Sequence, residues 1–257
     1  MLKSHGTPIL RRPCGCSWAS LHAEVLPFAV KPMEAIDFLR RKVNIPTAAW
    51  TDLWQQEHSA SFTVAGAMTD GLVADFHDAV NKAIENGETL ESFRKDFDRI
   101  VEEHGWSYNG SRGWRSRVIF DTNMSTAYAA GRWEQIQRVK RTRPYLIYRH
   151  LEGQKHPRPL HKSWDGTILP VDDPWWQTHY PPNGWGCHCW VDSLSDDDLR
   201  RYGYKVSDQA PPIKMVEKTV RLSDGSLKTV SVPEGIDPGF AYRPGELPAS
   251  LDEAVDE

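Results

Sequence analysis

From Pro32 the apolar positions fall at helical spacing. Ile36, Leu39 and Val43 recur three and four residues apart behind a proline suited to a helix start, predicting a first helix. Trp50, Leu53 and Trp54 predict a second, short one. Thr69 then opens a run in which Leu72, Phe76, Val80 and Ile84 are spaced by four, and Asn86-Gly87 stands where a C-terminal cap belongs. Thr89 caps the next helix, whose stripe of Leu90, Phe93, Phe97, Ile100 and Val101 runs until Gly105. Such stripes are packing signals. After NGSRG a longer helix is predicted from about Trp114 to Lys140, with Val118, Ile119, Thr122, Tyr128, Ala129, Trp133 and Ile136 as its apolar band, and Pro144 ends it.

Beyond Pro144 the period changes. Tyr145 to Tyr148 is short and β-prone, DSLSDDDLRRYG predicts a short helix capped by Ser193 or Ser195, and TVRLSDGSLKTVSV alternates around Asp224-Gly225 as a β-hairpin does. From Pro233 the chain is rich in Pro and Gly, which predicts an extended arm with an acidic, mobile end. The expected fold is α+β: a mainly helical N-terminal region, then a compact irregular Trp/Cys/His-rich region with short strands and a hairpin. The expected boundaries are a poorly ordered lead-in over 1–31, a helical region over 32–142, the irregular region with the hairpin over 143–247 and a mobile acidic tail over 248–257.

Between Arg158 and Asp192 the chain packs five Trp, three His and a Cys-His-Cys triplet among prolines and glycines that forbid a long regular element. So many large side chains in an irregular stretch imply a folded, specific site. Composition bounds it further: 26% charged residues and a mean hydropathy of -0.57 speak against membrane insertion. No apolar run approaches the roughly 20 residues of a membrane span, and the start of the chain lacks a signal peptide's apolar core. The four cysteines stand as two C-x-C pairs, Cys14/Cys16 and Cys187/Cys189, which without a secretory signal reads as reduced thiols or metal ligands rather than a disulfide framework.

The net charge of -4 hides an asymmetry, because Arg112 to Lys162 holds twelve basic residues against three acidic ones. That band, with Arg132, Arg138, Lys140, Arg141 and Arg143 as its candidate contacts, suits DNA or an acidic protein surface; the alternative is a solvated face neutralised by the protein's own carboxylates, such as Asp196, Asp197 and Asp198.

Chemically, Cys187 and Cys189 are soft ligands, and His161, His179 or His188 can complete a tetrahedral Zn²⁺ set. The C-x-C spacing differs from the commoner C-x₂₋₄-C, so two buried thiols beside hydrogen-bonded histidines is the competing reading. Cys187 with His161 or His179 as a nucleophile pair has no local signature behind it. A metal-dependent hydrolase or nuclease using His161 and Arg158 is the enzymatic alternative; paired carboxylates at metal-binding spacing are absent unless Asp172 and Asp173 serve, and no phosphate-cradling Gly-rich loop is present. No catalytic constellation emerges, and a non-enzymatic role is expected.

The strings TNMSTAYAAGRW, RPLHKSWDG, LPVDDPWW and HYPPNGWGCHC resemble the phage Mu F-like minor head proteins, also called phage head morphogenesis proteins, of tailed phages and prophages. AIDFLRRKVNIPTAAWTDLW, FTVAGAM, TLESFRKDF and PEGIDPGFAYRPG extend the likeness over about Pro32 to Leu247. The family signature falls on Arg158, His161, Gly166, Trp176, Pro181, Pro182, Gly184, Cys187 and Cys189, with Trp164 and Trp185 as structural residues of the same strings. His188 stands where an arginine is usual. The resemblance implies a minor head protein that acts in procapsid assembly at or near the portal and aids DNA packaging or ejection. Its implied partners are the portal, scaffolding or major capsid protein and DNA, and its implied location is the host cytoplasm during assembly, then the procapsid or virion head.

Overall fold

The fold was obtained as a computed structural model that describes residues 31–152 and 158–247. The lead-in before Lys31, Cys14 and Cys16 within it, and the acidic tail from 248 lie outside the described residues. The described residues belong to one unit. It contains a helical part and a part built on a small sheet.

In the helical part, Met33–Arg40 (α1) follows Pro32, whereas Val43 falls in the two-residue strand Val43–Asn44 (β1) and is 62% exposed, so it leaves the predicted helix face. β1 runs parallel to Ser61–Phe62 (β2), which follows the one-turn helix Glu57–Ala60 (α2). Trp50–Asp52 is a single 3₁₀ turn rather than a helix. Asp70–Asn86 (α3) and Leu90–His104 (α4) start where threonine accepts from the backbone, Leu72 N–H to Thr69 and Ser92 N–H to Thr89, and both end on a left-handed glycine. The predicted stripes are their buried faces: Leu72, Phe76, Val80 and Ile84 on one, Phe93, Phe97 and Ile100 on the other.

Arg112–Val139 (α5) is capped by Ser111 and crosses this core. Its buried residues are largely small: Ser116, Thr126, Ala127, Ala130 and Gly131, with Arg115, Ile119, Met124 and Ile136. Tyr128, expected in the band, is 44% exposed. The reason lies at Gly131, where a Cβ would meet the Ala35 backbone nitrogen at 2.7 Å. α1 packs so closely on α5 that small residues, not large ones, mark the contact face.

The second part is organised by Tyr145–Arg149 (β3), which lies between Ile168–Pro170 (β4) and Trp190–Leu194 (β5), antiparallel to both. Its alternation divides two cores: Leu146 and Tyr148 face Leu169, Val191 and the tryptophans, and Ile147 faces Ile168 and Leu194. Short helices Pro159–Ser163 (α6), Trp176–His179 (α7) and Asp196–Tyr202 (α8) interrupt the strands, and α8 starts on a capping box between Ser195 and Asp198. Met215–Arg221 (β6) and Leu227–Pro233 (β7) form the predicted hairpin. The segment after Pro233 is not an arm as far as Leu247: Ile236, Phe240, Ala241 and Tyr242 are buried, because its apolar residues close over the aromatic core.

Candidate metal centre and apolar cleft

The Trp-rich segment folds on itself through ring contacts. Trp164 meets Tyr148 at 5.8 Å and Trp175 at 5.8 Å edge to face, and Trp175 meets Trp176 at 5.0 Å. Trp176 is fully buried and its indole N–H donates to the Pro170 carbonyl at 3.0 Å. His179 belongs to this packing, stacked on Trp175 at 4.5 Å and bonded through Nδ1 to the Thr178 hydroxyl at 2.8 Å. Burial pushes its pKa down to about 4.

Pro181-Pro182 is cis, and the chain then reaches Asn183, whose Oδ1 accepts from the Tyr148 hydroxyl at 2.9 Å. Gly184 follows against Asp237. That carboxylate takes both guanidinium nitrogens of Arg158, at 3.1 and 2.8 Å, and the Trp185 N–H at 2.9 Å. Arg158 is therefore an internal clamp that ties α6 to the segment after β7, and it also donates to the Trp185 carbonyl.

Past Gly186, Cys187 and Cys189 stand two residues apart, which on extended backbone places both side chains on one side. Among the described residues they form, with His161, a group whose ligand atoms all lie within 4.8 Å of one another. His161 Nδ1 is 3.6 Å from each sulfur, while its Nε2 lies 2.9 Å from the Gly235 carbonyl. A carbonyl only accepts, so the proton sits on Nε2 and the Nδ1 lone pair faces the two cysteines. Cys187 is held well below the ordinary thiol range by the Cys189 side chain, with help from His161 and the Asn183 N–H against the opposing effect of burial. Cys189 is pushed up, first by the neighbouring Cys187 side chain and then by burial. His150, just past β3, adds its Nδ1 at 3.4 Å from Cys189 Sγ, and a small cavity of about 20 Å³ lies among these side chains. His179 and His188 stand outside the three-residue cluster, and His188 is exposed.

A larger apolar cleft of about 320 Å³ runs between the two parts, lined among others by Trp50, Trp114, Val118, Ile119, Trp185 and Phe240. Trp114 and Trp185 are 53% and 39% exposed. Lys42 and His58 also line it. Burial brings the Lys42 ammonium down to about 7 and His58, which feels Lys42 as well, down to about 4. A histidine whose folded pKa is depressed stays neutral in the native state while the unfolded chain takes up its proton, so stability falls as pH drops from about 6.5 to about 4. Between pH 6.5 and 4, the wild-type protein is therefore expected to lose about 1–2 kcal/mol more stability in urea melts than His58→Gln does, a figure below the full linkage value because the ring is only partly buried.

Of the expected basic contacts, Arg138 pairs with Glu34 and Glu134, Lys140 with Asp172, and Arg143 with Asp198 and Ser193. Arg112, Arg149 and Lys162 likewise meet Asp98, Asp192 and Glu152. Much of the band is thus neutralised within the chain. Arg132 and Arg141 lie exposed on and just beyond α5.

Residues 74–192, from α3 through β5 and including every cysteine and histidine of the cluster, match the family described as Phage Mu protein F like protein. Over this stretch the chain resembles the Mu F-like proteins. It is 28% identical over 249 residues to protein F of Escherichia phage Mu, named for capsid assembly, covering 87% of this chain and 56% of that protein. It is 30% identical over 226 residues to the Mu-like prophage FluMu F protein of Haemophilus influenzae, covering 80% of this chain and 54% of the relative. The chain spans about half the length of these curated relatives. No solved structure matches it significantly. Among the described residues no helix is long and apolar enough to cross a membrane.

In this chain the signature string carries its chemistry only together with residues outside it. His150 reaches Cys189 because β3 and β5 pair Arg149 with Trp190, so the next rung outward joins 150 to 189. Asp237 and Gly235 arrive from beyond the hairpin, outside the matched range. The strand pairing was the one signal that points to His150, since Tyr145 to Tyr148 reads as a strand directly before it.

Proposed function

We propose that the chain is a structural component of phage head assembly, working at or near the portal by holding another head protein in its apolar cleft. The observation that carries this reading is the Mu F-like match over residues 74–192, joined to a relative named for capsid assembly. The cleft supports it physically: tryptophans half-open to solvent at an apolar groove are the residues that anchor protein interfaces. A protein partner is favoured over DNA because Arg138, Lys140 and Arg143 already have carboxylate partners. The protein would act in the host cytoplasm during assembly and in the procapsid or virion head.

Co-expression of the tagged chain with the portal, scaffolding and major capsid proteins of the same phage genome tests this. The portal protein is expected to co-purify, and Trp114→Ala, at a position 53% exposed, is expected to weaken the complex by about 2 kcal/mol, roughly thirtyfold in Kd, with an unchanged urea midpoint showing that the fold is kept. Co-purification of scaffolding or capsid protein alone would overturn the portal assignment. Capture of none of the three would overturn the assembly reading.

A further inference from the structure

The cysteine and histidine cluster has no part in that docking. Three donor atoms, of His161, Cys187 and Cys189, lie within 4.8 Å of one another, and His150 lines the same 20 Å³ cavity, so the residues come from three separate stretches of chain: the end of β3, the helix α6, and the turn leading into β5. We propose that His150, His161, Cys187 and Cys189 bind one Zn²⁺ ion in a closed, tetrahedral structural site.

The distances carry the argument. With Zn–N of about 2.0–2.1 Å and Zn–S of about 2.3 Å at tetrahedral angles, neighbouring nitrogen and sulfur ligands stand about 3.5–3.6 Å apart. His161 Nδ1 stands 3.6 Å from both sulfurs, and His150 Nδ1 stands 3.4 Å from Cys189. Hydrogen bonding alone does not account for the first pair, because Nδ1 offers one lone pair in the ring plane and cannot accept well from two thiols at once. A cation between the three atoms uses all of them. Of the two sulfurs His150 Nδ1 is near Cys189, and the proposed fourth ligation requires this half-buried side chain to turn toward the other three donors.

The surroundings are those of a ligand shell. The Gly235 carbonyl fixes the His161 tautomer with Nδ1 free, the outer contact that orients a metal-bound imidazole. Backbone N–H groups of Asn183 and Leu151 contact the sulfurs of Cys187 and Cys189, outer contacts that hold the two side chains in place. Arg158, held by Asp237, lines the same cavity and adds positive charge beside the sulfurs. Two thiolates and two imidazoles form a soft set that suits Zn²⁺ over Mg²⁺ or Ca²⁺, and binding displaces the thiol protons to solvent. Four protein ligands leave no open position for a substrate. The ion is a clip that joins α6 to the end of the sheet.

The full chain, purified without chelator and with any affinity tag removed, is expected to carry about one zinc per molecule by mass spectrometry of the metal. Replacement by Co²⁺ should give the visible absorption of a tetrahedral cobalt centre together with a thiolate charge-transfer band. Cys187→Ser and Cys189→Ser should lose the metal. His150→Ala should weaken zinc binding by about 10- to 100-fold, at least the range that even outer contacts command, while His179→Ala and His188→Ala retain it. If the cysteine variants fail to fold, the cobalt spectrum of the wild-type protein decides alone. A folded wild-type protein with two freely titrating thiols, no bound zinc and no cobalt spectrum would overturn the site. A disulfide between Cys187 and Cys189 in protein purified under reducing conditions would do the same. Loss of metal in His188→Ala but not in His150→Ala would overturn the fourth ligand.

Discussion

Trp176→Ala should destabilise the protein by about 3–5 kcal/mol, measured as a lowered urea midpoint, with loss of the near-ultraviolet signal of the packed tryptophans. The indole is fully buried, meets Trp175 at 5.0 Å and donates to the Pro170 carbonyl. Truncation removes the largest side chain type from a site whose walls are other rings and a sheet, which collapse little, so the cavity term adds to the lost burial. The Pro170 carbonyl at the end of β4 also loses one of its donors, keeping the Asp173 N–H. Trp176→Phe separates the two effects: it keeps most of the apolar volume and forfeits the hydrogen bond, for an expected cost nearer 1–2 kcal/mol. Against the roughly 5–15 kcal/mol that holds a domain together, the alanine variant approaches loss of the fold. A change under about 1 kcal/mol for Trp176→Ala would show that the aromatic core is not the support of the sheet.

Much of this architecture is legible in the chain because the signals are local. The threonine caps at Thr69 and Thr89, the glycine stops at Gly87 and Gly105, and the Asp224-Gly225 turn each act within a few residues, and the elements stand where those residues put them. α5 was readable as a helix but not for its buried face, since its contact with α1 is made by Gly131 and alanines rather than by an apolar stripe. The candidate site divides in the same way. Cys187, Cys189 and His161 are visible as rare residues in one short segment, and the structure brings them together. His179 looks equivalent in the sequence, yet one helical turn carries it into the stack on Trp175. His150 and Asp237 are invisible locally because strand register and a return of the chain from beyond β7 put them in place, and neither is written in nearby spacing. Pro and Gly after Pro233 suggest an arm, but Ile236, Phe240 and Tyr242 carry enough apolar area to bury the segment.

Gly184→Ala should cost about 2–4 kcal/mol, more than most single-atom-group additions, because there is nowhere for the methyl to go. A Cβ on Gly184 would stand 2.2 Å from Asp237 Oδ2 and 2.8 Å from Arg158 Nη1. The obstruction is the far end of neither a loose nor a dispensable side chain: the same carboxylate holds two guanidinium nitrogens and the Trp185 N–H, so moving it breaks several charge-assisted bonds together. Three parts of the chain meet at that point, namely α6 through Arg158, the turn before Cys187, and the segment after β7. The methyl therefore acts on the clamp rather than on a pocket, and a double variant shows it. In Asp237→Ala the obstructing carboxylate is gone, the Arg158 clamp is already lost, and adding Gly184→Ala should cost under about 1 kcal/mol more. Additive losses in the double variant would mean that Gly184 is required for its own backbone and not for the approach of Asp237.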